Sequence, residues 1–176
     1  MRLLKELKAN QNLVLELERG YYKSGLAGAN KTISGKFKSI CYIALSKPAS
    51  AVRDDLKKEG VDIKGYSFID CVSKKSRLKK LPKKTTFISS PNALTELAIV
   101  LSKKLHDEKI DLVLLDSISS MLVYNNELNV VKFLHFLMIA IKSTKAKAIY
   151  VIMRNDLGRK GMREIELFAD NITWLE

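Results

Sequence analysis

Short apolar runs of strand length alternate with stretches of helical periodicity along this whole chain. No other feature of the sequence restricts the fold as strongly. Leu13–Leu17 reads as a first strand, Ser39–Leu45 as a second and Tyr66–Asp70 as a third. Thr86–Ser89 is a short fourth, Asp111–Asp116 the cleanest buried strand, Ala148–Met153 another, and Ile172–Leu175 closes the series. The second run shows little in-out alternation, as expected for a strand covered on both faces. Pro48 suits a first helical position and Gly60 the residue just past a helix end. Ser90-Pro91 reads as the opening of a helix whose stripe is Leu94, Leu97, Ala98, Leu101 and Leu105. Asn129 to Lys142 is a long helix, apolar almost all round, and Gly158 to Asp170 is helical in pattern. Strands alternating with helices imply right-handed crossovers. The expected class is α/β, a three-layer α/β/α arrangement on a mostly parallel sheet.

A chain of 176 residues fits one domain, 1–176. It carries 47% apolar and 28% charged residues, enough for a core and unlike a disordered chain. Residues 1–10 form an amphipathic amino-terminal segment whose apolar side suits either the domain's own sheet or a neighbour. The segment lacks the apolar region of a secretory signal. Val130–Ile141 spans about a dozen residues, against the roughly 20 needed to cross a bilayer, so no membrane span is expected. Cys41 and Cys71 each accompany an apolar run and read as buried thiols in a reducing compartment, which points to a cytoplasmic protein. His135 among apolar neighbours and His106 beside Asp107 and Glu108 show no metal-ligand spacing.

The net charge of +12 favours an anionic partner and is silent about fold. It is densest in the basic loop 73–85, which holds Lys74, Lys75, Arg77, Lys79, Lys80, Lys83 and Lys84. Against nucleic acid, each neutralised phosphate would add about 0.9 to the salt slope. No aromatic residue interrupts Lys74–Lys84, so such contact would be to the backbone and blind to sequence. The alternative is a solvated loop that keeps a strand edge soluble.

In an open α/β sheet, ligands bind outside the carboxyl ends of the strands. There the sequence places Glu18, Arg19 and Gly20, then Ser46-Lys47, Asp70, Asp116-Ser117, and Arg154-Asn155-Asp156. A carboxylate at the tip of a buried strand, as at Asp116, can hold Mg²⁺ beside a nucleotide or, with Ser117, cap the following turn.

Leu112–Ser120 resembles the Walker B strand of the RecA/RadA/KaiC ATPases. Ile40–Leu45, Gly60-Val61-Asp62 with Phe68-Ile69-Asp70, and Ala148–Met153 are similar, in that order, to the neighbouring core strands of that family. Arg154 or Asn155 falls at the polar sensor position. The resemblance runs from about Asn12 to Leu175 and implies a RecA-like core. The family also has Gly-x4-Gly-Lys-Ser/Thr after its first strand, where backbone N–H groups wrap the phosphates. Two imperfect matches stand here. Gly20 to Gly25 leaves the strand directly but continues Leu26-Ala27; Gly25 to Thr32 keeps Lys31 and Thr32 but begins late and has Asn30 for the second glycine. The first is favoured because the loop must leave the strand tip to cup a phosphate. Ser46-Lys47 stands where KaiC-like ATPases carry activating acids.

These departures remove most of the electrostatic stabilisation of phosphoryl transfer. The resemblance therefore implies a catalytically inactive RecA/KaiC-like domain acting as a protein-interaction or regulatory scaffold, with a protein partner or homo-oligomer and no cofactor. Two alternatives stand beside it. One is a sequence-nonspecific nucleic-acid-binding module. The other is an ATPase with a rearranged phosphate loop, binding MgATP through Gly20, Gly25, Lys31, Thr32, Ser117 and Asn155 with Asp116 on the metal.

Overall fold

The computed structural model describes residues 2–74 and 82–175. Seven strands form one sheet: β1 (Asn12–Leu17), β2 (Ile40–Ala44), β3 (Tyr66–Asp70), β4 (Thr85–Phe87), β5 (Leu112–Asp116), β6 (Lys147–Met153) and β7 (Asn171–Leu175). Their spatial order is β4-β3-β2-β5-β6-β1-β7, and every pairing is parallel. The helices are α1 (Arg2–Ala9), α2 (Tyr22–Ile33), α3 (Ala49–Lys58), α4 (Leu94–Asp107), α5 (Ile118–Tyr124), α6 (Glu127–Lys142) and α7 (Arg159–Glu166).

The strand residues divide between two cores. Leu13, Leu15, Tyr42, Phe68, Leu112 and Leu114 meet α1, α2 and α3 through Leu3, Leu7, Ala29, Ile33, Val52 and Leu56. Val14, Cys41, Ile43, Ile69, Val113 and Leu115 meet α4 to α7 on the other face. Because both faces are covered, the strands are apolar at successive positions, which is why they read as continuous runs. This is the three-layer α/β/α arrangement. The amphipathic amino-terminal helix docks on its own sheet, burying Leu3 and Leu7.

Cys41 and Cys71 are buried free thiols, and burial pushes the Cys41 thiol up to about 12. Among the described residues no helix is long and apolar enough to cross a membrane.

Several boundaries differ from the sequence expectation. α4 begins at Leu94, not at Pro91, because residues 90–93 close a turn in which the Ala93 N–H donates to the Ser90 carbonyl at 3.1 Å. α6 starts at Glu127, where the Asn126 side chain accepts the Asn129 N–H at 2.9 Å. α3 ends as expected, with Gly60 beyond it at φ 75°. Two helices, α2 and α5, have no counterpart in the periodicity reading. His135 stacks on Phe168 with ring centroids 3.6 Å apart.

Candidate functional site

All strands being parallel, their carboxyl ends share one rim. β1 reaches it at Leu17, and a single 3-10 turn, Arg19–Tyr21, leads straight into α2 at Tyr22. Gly20 lies in that turn with open space around it. Gly25 lies in the first turns of α2, where an added Cβ would stand 2.7 Å from Leu17 Cδ2. Lys31 and Thr32 lie in the last turn of α2. Nine residues of helix at about 1.5 Å rise put Lys31 roughly 14 Å along the axis from Tyr22. There Lys31 pairs with Glu59 at 3.2 Å, and the Thr32 hydroxyl donates to the Gly28 carbonyl at 2.8 Å.

Asp116 stands at the tip of β5, fully buried. Tyr22, the first residue of α2, donates its hydroxyl to Asp116 Oδ1. Tyr42 of β2 donates its own to Oδ2 at 2.5 Å. Burial raises the Asp116 pKa above the usual carboxylate range, opposed by the two hydroxyls and by Lys47 nearby. Burial and the Asp116 charge raise the pKa of both tyrosines. The three groups form a closed, strongly polar knot with the phenol protons held on the tyrosines. Ser117 caps α5, its Oγ accepting the Ser120 N–H at 3.1 Å.

The other rim charges are also engaged. Asp70 accepts the Ala49 N–H at the start of α3 and the Val72 and Ser73 N–H groups, at 2.8 to 2.9 Å. Lys47 pairs with Asp55, Arg19 with Asp156, and Arg154 with Glu18. Asn155 is exposed, with φ 67°. A groove of about 380 Å³ runs between α2 and α3, lined by Tyr22, Lys23, Tyr42, Lys47, Asp55 and Lys58 among others. Among the described residues no three His, Cys, Asp or Glu side chains cluster as a metal centre would require.

No family model matches the sequence, and no curated protein matches it. Solved structures do match. A KaiC-like protein from the hyperthermophilic archaeon Pyrococcus horikoshii aligns with TM-score 0.67 and 16% identity, over 95% of this chain and 74% of that one. This chain has a RecA/KaiC-like fold. An uncharacterised P. horikoshii protein, in complex with an unknown peptide, aligns with TM-score 0.68 and 12% identity over 95% and 78% of the two chains. An ATPase from the type III secretion system of pathogenic bacteria aligns with TM-score 0.56 and 12% identity over 94% and 51%.

On this RecA/KaiC-like frame, Gly20, Gly25, Asp116, Ser117 and Asn155 gather at or near one rim, whereas Lys31 and Thr32 sit at the far end of α2. The start of α2 carries its own Lys23-Ser24, with Tyr22 where the phosphate-loop motif has glycine. Ser24 Oγ donates to the Tyr21 carbonyl at 3.1 Å. Sequence reasoning missed Tyr22 and Tyr42. One signal was available: a tyrosine in a strand buried on both faces needs an acceptor for its hydroxyl. Of the basic segment, Lys74, Lys83 and Lys84 are exposed, while Lys75, Arg77, Lys79 and Lys80 lie outside the described residues.

Proposed function

We propose that this chain is a non-catalytic RecA/KaiC-like domain that works through protein contacts, as a scaffold or regulatory partner. The observation that carries the reading is the Tyr22–Asp116–Tyr42 knot. A Walker B carboxylate serves by presenting oxygen to a hydrated metal. Here a hydroxyl donates to each carboxylate oxygen and the whole group is buried. The connection between β1 and α2 supports the same reading. Four residues, 18–21, join them. They match the motif's x4 in number but wind into a 3-10 turn that uses its own donors: the Tyr21 N–H goes to the Glu18 carbonyl at 2.9 Å and the Tyr22 N–H to the Arg19 carbonyl. This leaves fewer N–H groups to cup a phosphate. Lys23-Ser24 offers the motif's cation and hydroxyl, so what counts against MgATP is Asp116, whose two oxygens are taken, and Tyr22 in the glycine's place.

The surface supports a protein-contact role. A groove of about 800 Å³ runs between α4 and α6, with Ile99 65% and Phe136 47% exposed along it. Exposed large apolar side chains rimmed by polar ones, here Asn92, Thr95, Asn129 and Lys132, suit a contact surface. The uncharacterised archaeal protein of the same fold was solved with a peptide bound, which favours peptide or protein recognition. The partner is a different protein or a second copy of this chain.

The test is a calorimetric titration with MgATP beside a phosphate-release assay, each on the native chain and on Asp116→Asn. The expected result is no saturable heat and phosphate release at the buffer rate in both proteins. Saturable binding with turnover that Asp116→Asn abolishes would return the chain to the ATPases.

A further inference from the structure

The opposite rim of the sheet holds a third concavity, of about 450 Å³. Lys38 and Ser39 lead into β2, Lys64 and Gly65 into β3, and Lys84 and Thr85 into β4; Lys104 and Glu108 close α4. Four lysines from four separate segments therefore meet around one depression. The one carboxylate among its described lining residues, Glu108, is already held by Lys104 at 2.7 and 2.6 Å. That pair is internally neutral. Lys38, Lys64 and Lys84 are exposed and form no ion pair among the described residues. The lining thus presents three ammonium groups outside any ion pair, beside two carboxylates held on the backbone: Asp111 accepts the Lys38 and Ser39 N–H groups at 2.9 and 3.0 Å, and Asp62 accepts the Lys64 N–H at 3.0 Å. Lys84 gives one ammonium proton to the Lys64 carbonyl at 2.9 Å and keeps two more. Its backbone sits at φ 54°, and its carbonyl accepts the Phe68 N–H at 2.9 Å, so the residue is fixed at the mouth.

We propose that this pocket binds the phosphodiester backbone of single-stranded nucleic acid without reading its sequence. The site is distinct from the carboxyl rim and stands independently of the non-catalytic reading. Lysines are compact point charges on flexible stems, suited to phosphates in varied geometry rather than to a fixed planar partner. Among the described residues the one aromatic in the lining, Tyr66, is buried, with its hydroxyl donating to Asn30 Oδ1 at 3.1 Å, so it presents no ring for base stacking. Contact is then to phosphates alone, which position a strand but carry no sequence information. A net charge of +12 draws a polyanion more strongly than a small anion, because a polymer engages many charges at once. A flexible strand can dip into a concavity that a rigid duplex only spans.

The experiment is fluorescence anisotropy with a labelled oligothymidylate of about 20 nucleotides, long enough for several contacts. It is run across a salt series on the native chain and on Lys38→Ser/Lys64→Ser/Lys84→Asn. Asparagine is chosen at 84 because it tolerates positive φ. Removing three phosphate contacts should flatten the log K against log salt slope by about 2, at roughly 0.7 per contact on a single strand. A control, Lys5→Ser/Lys8→Ser/Lys160→Ser, removes equal charge from exposed positions elsewhere and should keep the native slope. Should the pocket triple fail to fold by circular dichroism, Lys38→Ser/Lys64→Ser replaces it, with an expected flattening of about 1.4. An unchanged slope in the pocket variant overturns the proposal, as does an equal loss in the control. Displacement by tripolyphosphate at equal phosphate concentration would reassign the site to small anions. Equal affinity for a duplex of the same length would refute the single-strand assignment.

Discussion

Asp116 is an ionisable group taken fully out of water and given two phenol donors instead of a cation. Burial alone favours its neutral form, and the hydroxyls recover part of the cost of the charge. Hydrogen bonds to a charged group contribute about 1.5–3 kcal/mol each. Tyr22→Phe should therefore destabilise the fold by about 1–3 kcal/mol, and Tyr42→Phe by a similar amount. The sign with pH follows from the raised native pKa. Native Asp116 holds its proton to higher pH than the unfolded chain, so its ionisation costs stability as pH rises through the native value. Losing a donor raises that value further. The deficit of Tyr22→Phe should thus be largest in alkaline buffer and shrink in acid. Urea unfolding of both proteins at several pH values measures this, and a deficit that grows toward acid would contradict the hydrogen-bond account. Asp116 itself was legible in the sequence, as a lone carboxylate after four apolar residues. Its partners were not, because Tyr22 and Tyr42 reach it from 94 and 74 residues away. No local pattern records such a contact.

At the scale of elements, α2 shows where local reading stops. Its sequence, Tyr22 to Ile33, contains Gly25 and Gly28, and two glycines within four positions read as a loop. Their roles differ. Gly25 lets the helix approach β1, with Leu17 filling the space a Cβ would need. Gly28 meets nothing within 4 Å. It confers only backbone freedom, which disfavours a helix by about 1 kcal/mol relative to alanine. Gly28→Ala should therefore stabilise the protein by about 0.5–1 kcal/mol. Gly25→Ala should destabilise it by up to about 2 kcal/mol, the roughly 1–3 kcal/mol of overpacking against Leu17 less the same propensity gain. Thermal unfolding of the two variants separates them, and equal shifts would mean that the approach of α2 to Leu17 is not limiting. α5 escaped periodicity for another reason. It is seven residues long, about two turns, and follows β5 after the capping Ser117, so it extends the strand's apolar run. By contrast β2, β5 and β6 were plain, because burial on both faces makes successive positions apolar and leaves charge only at strand ends, as at Asp116 and Lys147.

Over the whole molecule, the parallel order was implied by alternating strands and helices, but the sheet's outer members rest on contacts between distant ends. The amino rim beside β1 is closed by one such node. Asp170, just before β7, accepts the Gln11 N–H at 3.0 Å and the Asn12 N–H at 2.8 Å, and pairs with Lys142 of α6 at 2.8 Å. Gln11 in turn donates to the carbonyls of Ile141, Thr144 and Ala146, between the last turn of α6 and β6. One carboxylate thus joins β1, β7 and the helix layer. Partial burial opposes its ionisation, but the Lys142 ammonium and the two N–H donors outweigh this and hold its pKa below the usual range. A depressed native pKa makes the contribution complete above the unfolded value, about 3.9. It is lost as pH falls through the native one. Native protein and Asp170→Asn should accordingly differ most at neutral pH and converge in acid. The measurement is the urea midpoint of each from neutral pH down to about 2.5, below the ordinary aspartate range. Since other carboxylates titrate identically in both proteins, the difference curve reports this node alone. A pH-independent difference would mean that the side chain acts by shape and hydrogen bonding and that its charge adds nothing to the seam between β1 and β7.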